Sequence, residues 1–244
     1  MKRWKKILLG TLAVLVLALG ALAFWQRNNL RALYTFLTQD SQTIAQDLES
    51  KREEHHQAIQ EAVGGITVEI PTTEVSDALL SGQLTPEEAK EALGITQELE
   101  KAQEGAGGGE QPSPGTGQPD QSAQPPPAPT AQELINRCVA ELYGCKIDIM
   151  AVLGELKQEA LDQWNALPAD KRTSTKMKEL GFAGLNECYR LEGQVDDQVR
   201  EILGRYEGQL KAIGADTAIL DDLWDYYSDE KAAEKVYYLD KYLG

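Results

Sequence analysis

The sequence predicts an all-α protein that is held in a membrane by one N-terminal helix. Three observations support this fold class. Residues 7–25 form an uncharged apolar run, apolar residues recur at spacings of three and four through much of the remaining chain, and the prolines are concentrated in one stretch. Such spacing is typical of amphipathic helices. We expect a single N-terminal transmembrane helix, a long helical stalk, a disordered linker and an elongated antiparallel three-helix bundle.

The apolar run at residues 7–25 has the length of a membrane span. Its 19 residues rise ~28 Å as a helix, close to the ~30 Å of a hydrocarbon core. The basic hexapeptide MKRWKK precedes the run, whereas only Arg27 and Arg31 follow it closely. The positive-inside rule therefore predicts a cytoplasmic tail at residues 1–6 and an extracytoplasmic location for the rest of the chain.

Signal-peptide cleavage is the alternative to anchoring. Ala21 and Ala23 form an A-x-A triplet, which would allow cleavage between Ala23 and Phe24. The run is longer than the usual apolar region of a signal peptide and continues into Phe24 and Trp25, aromatic residues suited to a membrane interface. These features favour a signal anchor. Either outcome places most of the chain outside the cytosol.

The net charge of the chain limits the classes of molecule that it can bind. It carries 39 Asp+Glu against 24 Lys+Arg, a formal net charge of −15, and every acidic residue follows the apolar run. A surface of this kind repels phosphate backbones, so we expect no nucleic-acid binding.

No N-x-Ser/Thr sequon occurs in the sequence, which favours a bacterial source. We therefore expect the protein in a bacterial cell membrane, with most of the chain in the extracytoplasmic part of the cell envelope.

Residues 26–63 are predicted to form the helical stalk. Apolar residues alternate at spacings of three and four along its first half, with Ser41 filling one position; they are Leu30, Tyr34, Leu37, Ile44 and Leu48. The same register then meets Lys51 and His55, so the stripe ends. A coiled-coil seam of two to three heptads is expected, through which the stalk weakly self-associates as a homo-oligomer.

Residues 64–103 are predicted to be a small mixed segment. Ile66, Val68 and Ile70 alternate with polar residues, which predicts a short strand ended by proline. Thr85 followed by Pro86 predicts a helix start, and a glycine at position 94 predicts its end. The stretch LLSGQLTPEEAKEALG resembles the short helical-hairpin module at the termini of many bacterial proteins, and the resemblance implies a link to oligomerisation.

Residues 104–130 are predicted to be a disordered spacer. Seven of the ten prolines and six glycines lie here, without any aromatic or branched apolar residue to drive ordering.

Residues 131–244 are predicted to be a three-helix, coiled-coil-like domain, with helices from 131 to Pro168, from 174 to 213 and from 216 onward. The first seam is Ile135, Cys138, Leu142, Cys145, Ile149, Val152 and Leu156.

The three cysteines leave several readings open. Cys138 and Cys145 are seven residues apart, which places them ~10 Å apart on one helix face, too far to bridge each other. Cys188 lies on the following helix and meets Cys145 only if the helical register breaks. Buried thiols, an intrachain disulfide and an interchain bond therefore remain as alternatives.

The C-terminal helix is rich in aromatic residues. Adjacent tyrosines cannot both lie on one buried stripe, so part of this set is expected at the surface; the candidate partner-binding residues are Trp224, Tyr226, Tyr237 and Tyr238. Gly204 and Gly208 are spaced for a close helix approach, although in water such glycines more often only weaken a helix, by ~1 kcal/mol each. The only histidines, His55 and His56, are predicted to lie on a solvated helix face, because adjacent helical residues point ~100° apart.

No sequence pattern indicates catalysis, a cofactor or a metal site, so we expect a protein that is not an enzyme. The layout of short tail, single span and helical extracytoplasmic region resembles bacterial bitopic coiled-coil proteins of the cell envelope. This resemblance implies a scaffold or spacer that presents a protein-interaction domain to an unknown protein partner. The alternative is an extracytoplasmic ligand-binding or sensory helical domain, either membrane-anchored or secreted.

Overall fold

The structure is a computed structural model that describes residues 41–106 and 128–243. The predicted cytoplasmic tail, the membrane span, the first part of the stalk and most of the linker lie outside the described residues. In the described ranges every regular element is helical, which confirms the all-α class. None of the helices in these ranges is long and apolar enough to cross a membrane.

The described chain contains seven α-helices and one 3-10 turn. In order these are α1 (Ser41–Val63), α2 (Thr73–Leu80), α3 (Pro86–Ala92), α4 (Ile95–Ala106), α5 (Ala131–Ala166), the turn Ala169–Lys171, α6 (Ser174–Ala212) and α7 (Ala218–Leu243). The three long C-terminal helices therefore begin and end close to their predicted bounds. Helix α4 runs three residues into the predicted linker.

Hydrogen-bonding side chains fix where the helices begin. Thr85 and Glu88 form a reciprocal capping box at α3, where Pro86 is the first helical residue, as the sequence predicts. Thr130 and Glu133 form the same box at α5. Gly94 follows α3 with a φ of 72°, a left-handed conformation that glycine adopts without strain, so the predicted helix stop is confirmed.

The short strand predicted over Ile66, Val68 and Ile70 is wrong. This segment is irregular, and its one interelement backbone bond runs from the Glu69 N–H to the Leu93 carbonyl at 3.0 Å. A strand needs a neighbouring strand to satisfy its backbone, and the described residues supply none. Val68 is instead buried as a single apolar side chain.

The chain divides into two compact units. The described part of the first unit is residues 41–55 with 225–243, and the described part of the second unit is residues 56–106 with 128–224. One boundary falls within α1 and the other within α7. Residues 131–244, which the sequence groups into one three-helix bundle, are therefore shared between two units, because the C-terminal part of α7 groups with the stalk.

Helix α5 is the central element of the second unit. It packs against α6 and also against α2, α3 and α4, so the segment at 64–103 is part of this core. Positions buried along α5 include Leu134, Ile135, Cys138, Val139, Ala140, Cys145, Ile147 and Met150. At 100° per residue they cover most of the helix circumference, as expected for a helix with neighbours on several sides.

The buried face of α5 only partly matches the predicted seam. Ile135, Cys138 and Cys145 are buried, whereas Val152 is 37 % exposed, so its predicted burial is wrong. The physical reason is the additional packing of α2 to α4, which selects residues outside a single stripe. On α6 the buried positions include Val199, Ile202, Tyr206 and Leu210.

The close helix approach occurs at a glycine that the sequence pattern did not indicate. A Cβ built on Gly154 would lie 2.9 Å from the Leu79 carbonyl oxygen and 3.1 Å from the Leu80 Cα. Helix α2 thus rests on α5 where no side chain intervenes. A Cβ built on Gly204 or Gly208 meets nothing within 4 Å, so the close approach that their spacing allows does not occur, and the alternative remains that these glycines only weaken the helix.

Candidate functional site

The first unit is an antiparallel helix pair that contains three of the four candidate partner-binding residues. Its contacts run in opposite directions along the two segments, with Ile44 near Val236, Arg52 near Glu230 and His55 near Tyr226. The residue number falls on one helix as it rises on the other. The stalk helix and the C-terminal helix therefore pair over residues 41–55 and 225–243.

A buried arginine joins the two segments. Arg52 is 3 % exposed, and its Nε donates to Glu230 Oε1 at 2.8 Å while its Nη2 donates to Glu234. Its Nη1 donates to Glu49 Oε1 of the same helix at 3.0 Å. Burial alone lowers the pKa of Arg52, but the charges of Glu234 and Glu230 outweigh burial and raise the pKa above its ordinary value. The guanidinium stays charged and fully bound.

Sequence reasoning missed this arginine. The predicted seam continued from Leu48 to Lys51, whereas the structure buries Arg52 and leaves Lys51 half-exposed. The available signal was the spacing of four that connects Ile44, Leu48 and Arg52 on one helix face. Residues four positions apart lie on the same face of a helix, so Arg52 shares the face of Ile44 and Leu48.

The candidate tyrosines of the first unit are only half-buried, and each has contacts within the chain. The Tyr226 ring stacks on His55 with centroids 4.4 Å apart and planes at 22°. Tyr237 packs against the Ile44 and Val236 cluster and meets the edge of Tyr238 at 5.0 Å. His55 therefore lies against an aromatic ring rather than on a fully solvated face. Some rings of the predicted aromatic patch therefore make contacts within the first unit.

The fourth candidate, Trp224, lies in the second unit. The Arg200 guanidinium carbon lies 4.7 Å from the centre of its ring, a cation–π geometry. Trp224 is also half-buried. The four candidate residues are thus divided between two units, three in the first and one in the second.

The second unit contains a groove above α5. It has a cavity volume of about 360 Å³ and is lined by residues of α3, α4, α5 and α6, among them Lys90, Leu99, Gly144, Cys145 and Ile202. Two ion pairs border it. Lys90 Nζ lies 2.6 Å from Asp148 Oδ1, and Arg205 pairs with Glu141.

The groove border also ties α5 to α6. The Tyr206 hydroxyl donates to Glu141 Oε1 at 2.6 Å, and burial followed by this hydrogen bond raises the pKa of Tyr206. The tyrosine therefore remains a donor at neutral pH. The groove therefore has charged pairs at its edge and apolar side chains such as Leu99 and Ile202 in its lining.

All three cysteines are free thiols in the structure. Burial raises the pKa of Cys138 to about 12, with a smaller contribution from the charge of Glu141. Burial likewise raises the pKa of Cys145 to about 11 and also raises the pKa of Cys188, which is only half-buried. None of these environments favours a thiolate at neutral pH.

Within residues 41–106 and 128–243, no three metal-ligating side chains lie together. Comparison of the chain with protein-family models, with curated proteins and with solved structures found no match. The candidate sites are therefore the antiparallel helix pair of the first unit, which Arg52 joins, and the groove of the second unit.

Proposed function

We propose that this chain is a non-enzymatic, single-pass, membrane-anchored protein of the bacterial cell envelope, a scaffold or spacer that presents an extracytoplasmic helical interaction domain. One observation carries the proposal: the uncharged run at residues 7–25 follows four basic residues and precedes every acidic residue of the chain. That arrangement is typical of a signal anchor with a cytoplasmic N-terminus.

The helices beyond the run suit an interaction domain. Several half-buried aromatic rings lie on α7 beside acidic residues such as Asp225 and Asp229, which are exposed. An aromatic centre with an acidic rim fits a protein partner that carries basic rim residues. We propose Tyr226, Tyr237 and Tyr238 in the first unit, and Trp224 in the second unit, as contact residues for protein partners of their respective units. We also propose the stalk as a homotypic contact that forms when its seam is exposed.

The anchor is tested by N-terminal sequencing and fractionation of the mature protein. A retained N-terminus in the membrane fraction supports the anchor, and a mature chain that begins at Phe24 contradicts it. Orientation is tested with protease added to intact cells after removal of any wall. Cleavage within residues 104–130 before lysis supports the orientation, whereas protection until lysis reverses it.

The partner surface is tested by pull-down from solubilised membranes. Tyr238→Ala and Trp224→Ala are expected to reduce recovery of a specific partner while leaving the melting temperature close to wild type. Leu223→Ala, a buried neighbour on the same helix, serves as the control that lowers stability. If the aromatic variants lose stability like Leu223→Ala and keep the same partners, the contact proposal is wrong.

The groove supports a second candidate function, an extracytoplasmic ligand-binding or sensory domain. Its volume of about 360 Å³ lies within the range of small-molecule sites, ~300–1,000 Å³. Native mass spectrometry of the purified chain is expected to show a bound small molecule that Gly144→Leu displaces, because the new side chain fills the groove floor. Gly204→Leu, at an open surface position, is the matched control. A spectrum without any bound mass contradicts this candidate.

A further inference from the structure

The described part of the stalk face predicted for self-association is buried, and at Ile44 it packs against the chain's own C-terminal helix. Ile44 and Leu48 belong to the predicted seam, and in the structure they are 3 % and 1 % exposed. Ile44 packs with Val236 and Tyr237 of α7. Side chains that are buried in this way have no surface left for a second stalk. Within the described residues, the seam is therefore already occupied.

The covering segment is held in place by charge. Arg52 binds Glu230 and Glu234, two acidic residues one turn apart on α7. Removal of one partner of a buried ion pair is destabilising, because it leaves a buried charge without compensation. Removal of these carboxylates leaves the guanidinium with Glu49 of its own helix, 3.0 Å away. The stalk therefore keeps Glu49 as a counter-charge for Arg52 when α7 leaves.

We propose that residues 225–243 form an intramolecular cap on the stalk, and that the partner of the uncapped face is a second copy of this chain. The proposal rests on the stalk self-association that forms part of the proposed function. Two copies anchored in one membrane present their stalks in the same direction, which aligns Ile44 and Leu48 of one chain with those of the other. A capped chain is monomeric and an uncapped chain dimerises.

The test measures the mass of the full chain in detergent micelles by size exclusion with light scattering. The uncapping variant is E230K/E234K, which places two lysines against Arg52. The matched control is D225K/D229K, which makes the same charge change at the same spacing on exposed positions of α7. Wild type and control are expected at the mass of one chain, and the uncapped variant at twice that mass.

A second substitution identifies the face that dimerises. Ile44→Asp added to E230K/E234K is expected to restore the mass of one chain, because the dimer uses the uncapped seam. The proposal is overturned if E230K/E234K stays monomeric, if wild type is already dimeric, or if Ile44→Asp leaves the dimer intact. A chain that is membrane-bound and monomeric in every variant overturns the cap alone and leaves the anchor standing.

Deletion of residues 225–244 removes the cap without introducing charge. The deleted chain is expected to dimerise and to lose only the helix content of the deleted residues by circular dichroism. A larger loss of helix means that the stalk needs α7 to remain folded, and this result also overturns the proposal.

Discussion

Arg52 Nε and Glu230 Oε1 lie 2.8 Å apart although 178 residues separate them in the chain. The contact joins the first described helix to the last one, and Glu234 binds the same guanidinium. It determines which residues of the stalk meet which residues of α7. The same two helices also share the small apolar cluster of Ile44 and Val236.

The double variant E230Q/E234Q is expected to lower the free energy of unfolding of the first unit by about 3 kcal/mol, because it leaves a buried guanidinium without its interhelical counter-charges. Arg52→Met is expected to cost less, since it removes the charge and keeps an apolar stem. Urea unfolding followed by circular dichroism measures both. D225N/D229N on exposed positions is the control, and a loss as large as that of E230Q/E234Q would contradict the explanation.

A glycine pair provides the second prediction. In Gly154→Ala the new Cβ lies 2.9 Å from the Leu79 carbonyl, so α2 has to move and the free energy of unfolding falls by about 1–3 kcal/mol. In Gly204→Ala the Cβ meets open space, and the variant is expected to gain about 1 kcal/mol from helix propensity. Thermal melts of both variants measure the difference. Equal shifts in both would show that α2 does not rest on α5 at Gly154.

The two glycines also show what the sequence could predict. Periodicity located the long helices and capping residues located the start of the short helix α3, because the apolar spacing and the pair Thr85 and Pro86 act within one or two helical turns. The close approach at Gly154 and the burial of Arg52 depend on residues far away in the chain. A spacing of four between Gly204 and Gly208 carries no information about whether a neighbouring helix is present.

The division into two units also depends on contacts between residues that are far apart in the chain, so the local sequence pattern did not predict it. Residues 131–244 contain three seams that complement one another locally, so the sequence predicts one bundle. The structure covers α5 with α2 to α4, whose individual lengths of 7–12 residues gave only a weak signal. The C-terminal part of α7 belongs instead to the unit that contains the stalk. For the candidate sites, the sequence located the aromatic residues of α7, but it did not indicate that Tyr226 stacks on His55 or that Glu230 binds Arg52.

The capping box at α5 gives a prediction about acid pH. The Thr130 backbone N–H, and then its hydroxyl, donate to Glu133 and lower its pKa below the ordinary 4.5. A carboxylate whose folded-state pKa is lowered stabilises the fold above its ordinary pKa, and this contribution disappears as the pH falls through the folded-state pKa. Wild type is therefore expected to lose more stability than Glu133→Gln between about pH 5 and about pH 3.

Urea midpoints at the two pH values measure this difference. Glu155→Gln, at an exposed position in the body of the same helix, is the control and is expected to follow wild type. A Glu133→Gln curve with the same slope as wild type would show that the box does not hold the carboxylate in solution. Thr130→Ala, which removes the hydroxyl cap, is expected to cost about 1 kcal/mol at neutral pH.

The cysteines give the last prediction, which concerns alkylation by iodoacetamide in the native state. Only the thiolate reacts, and burial raises the pKa of Cys138 to about 12 and of Cys145 to about 11. Cys188 is half-buried, so it is expected to react first near pH 8, followed by Cys145 and finally Cys138. Mapping of the modified peptides over time measures the order. Denaturation without reductant should make all three react fully, whereas two cysteines that stay unmodified until reductant is added would demonstrate a disulfide and contradict the buried-thiol environment.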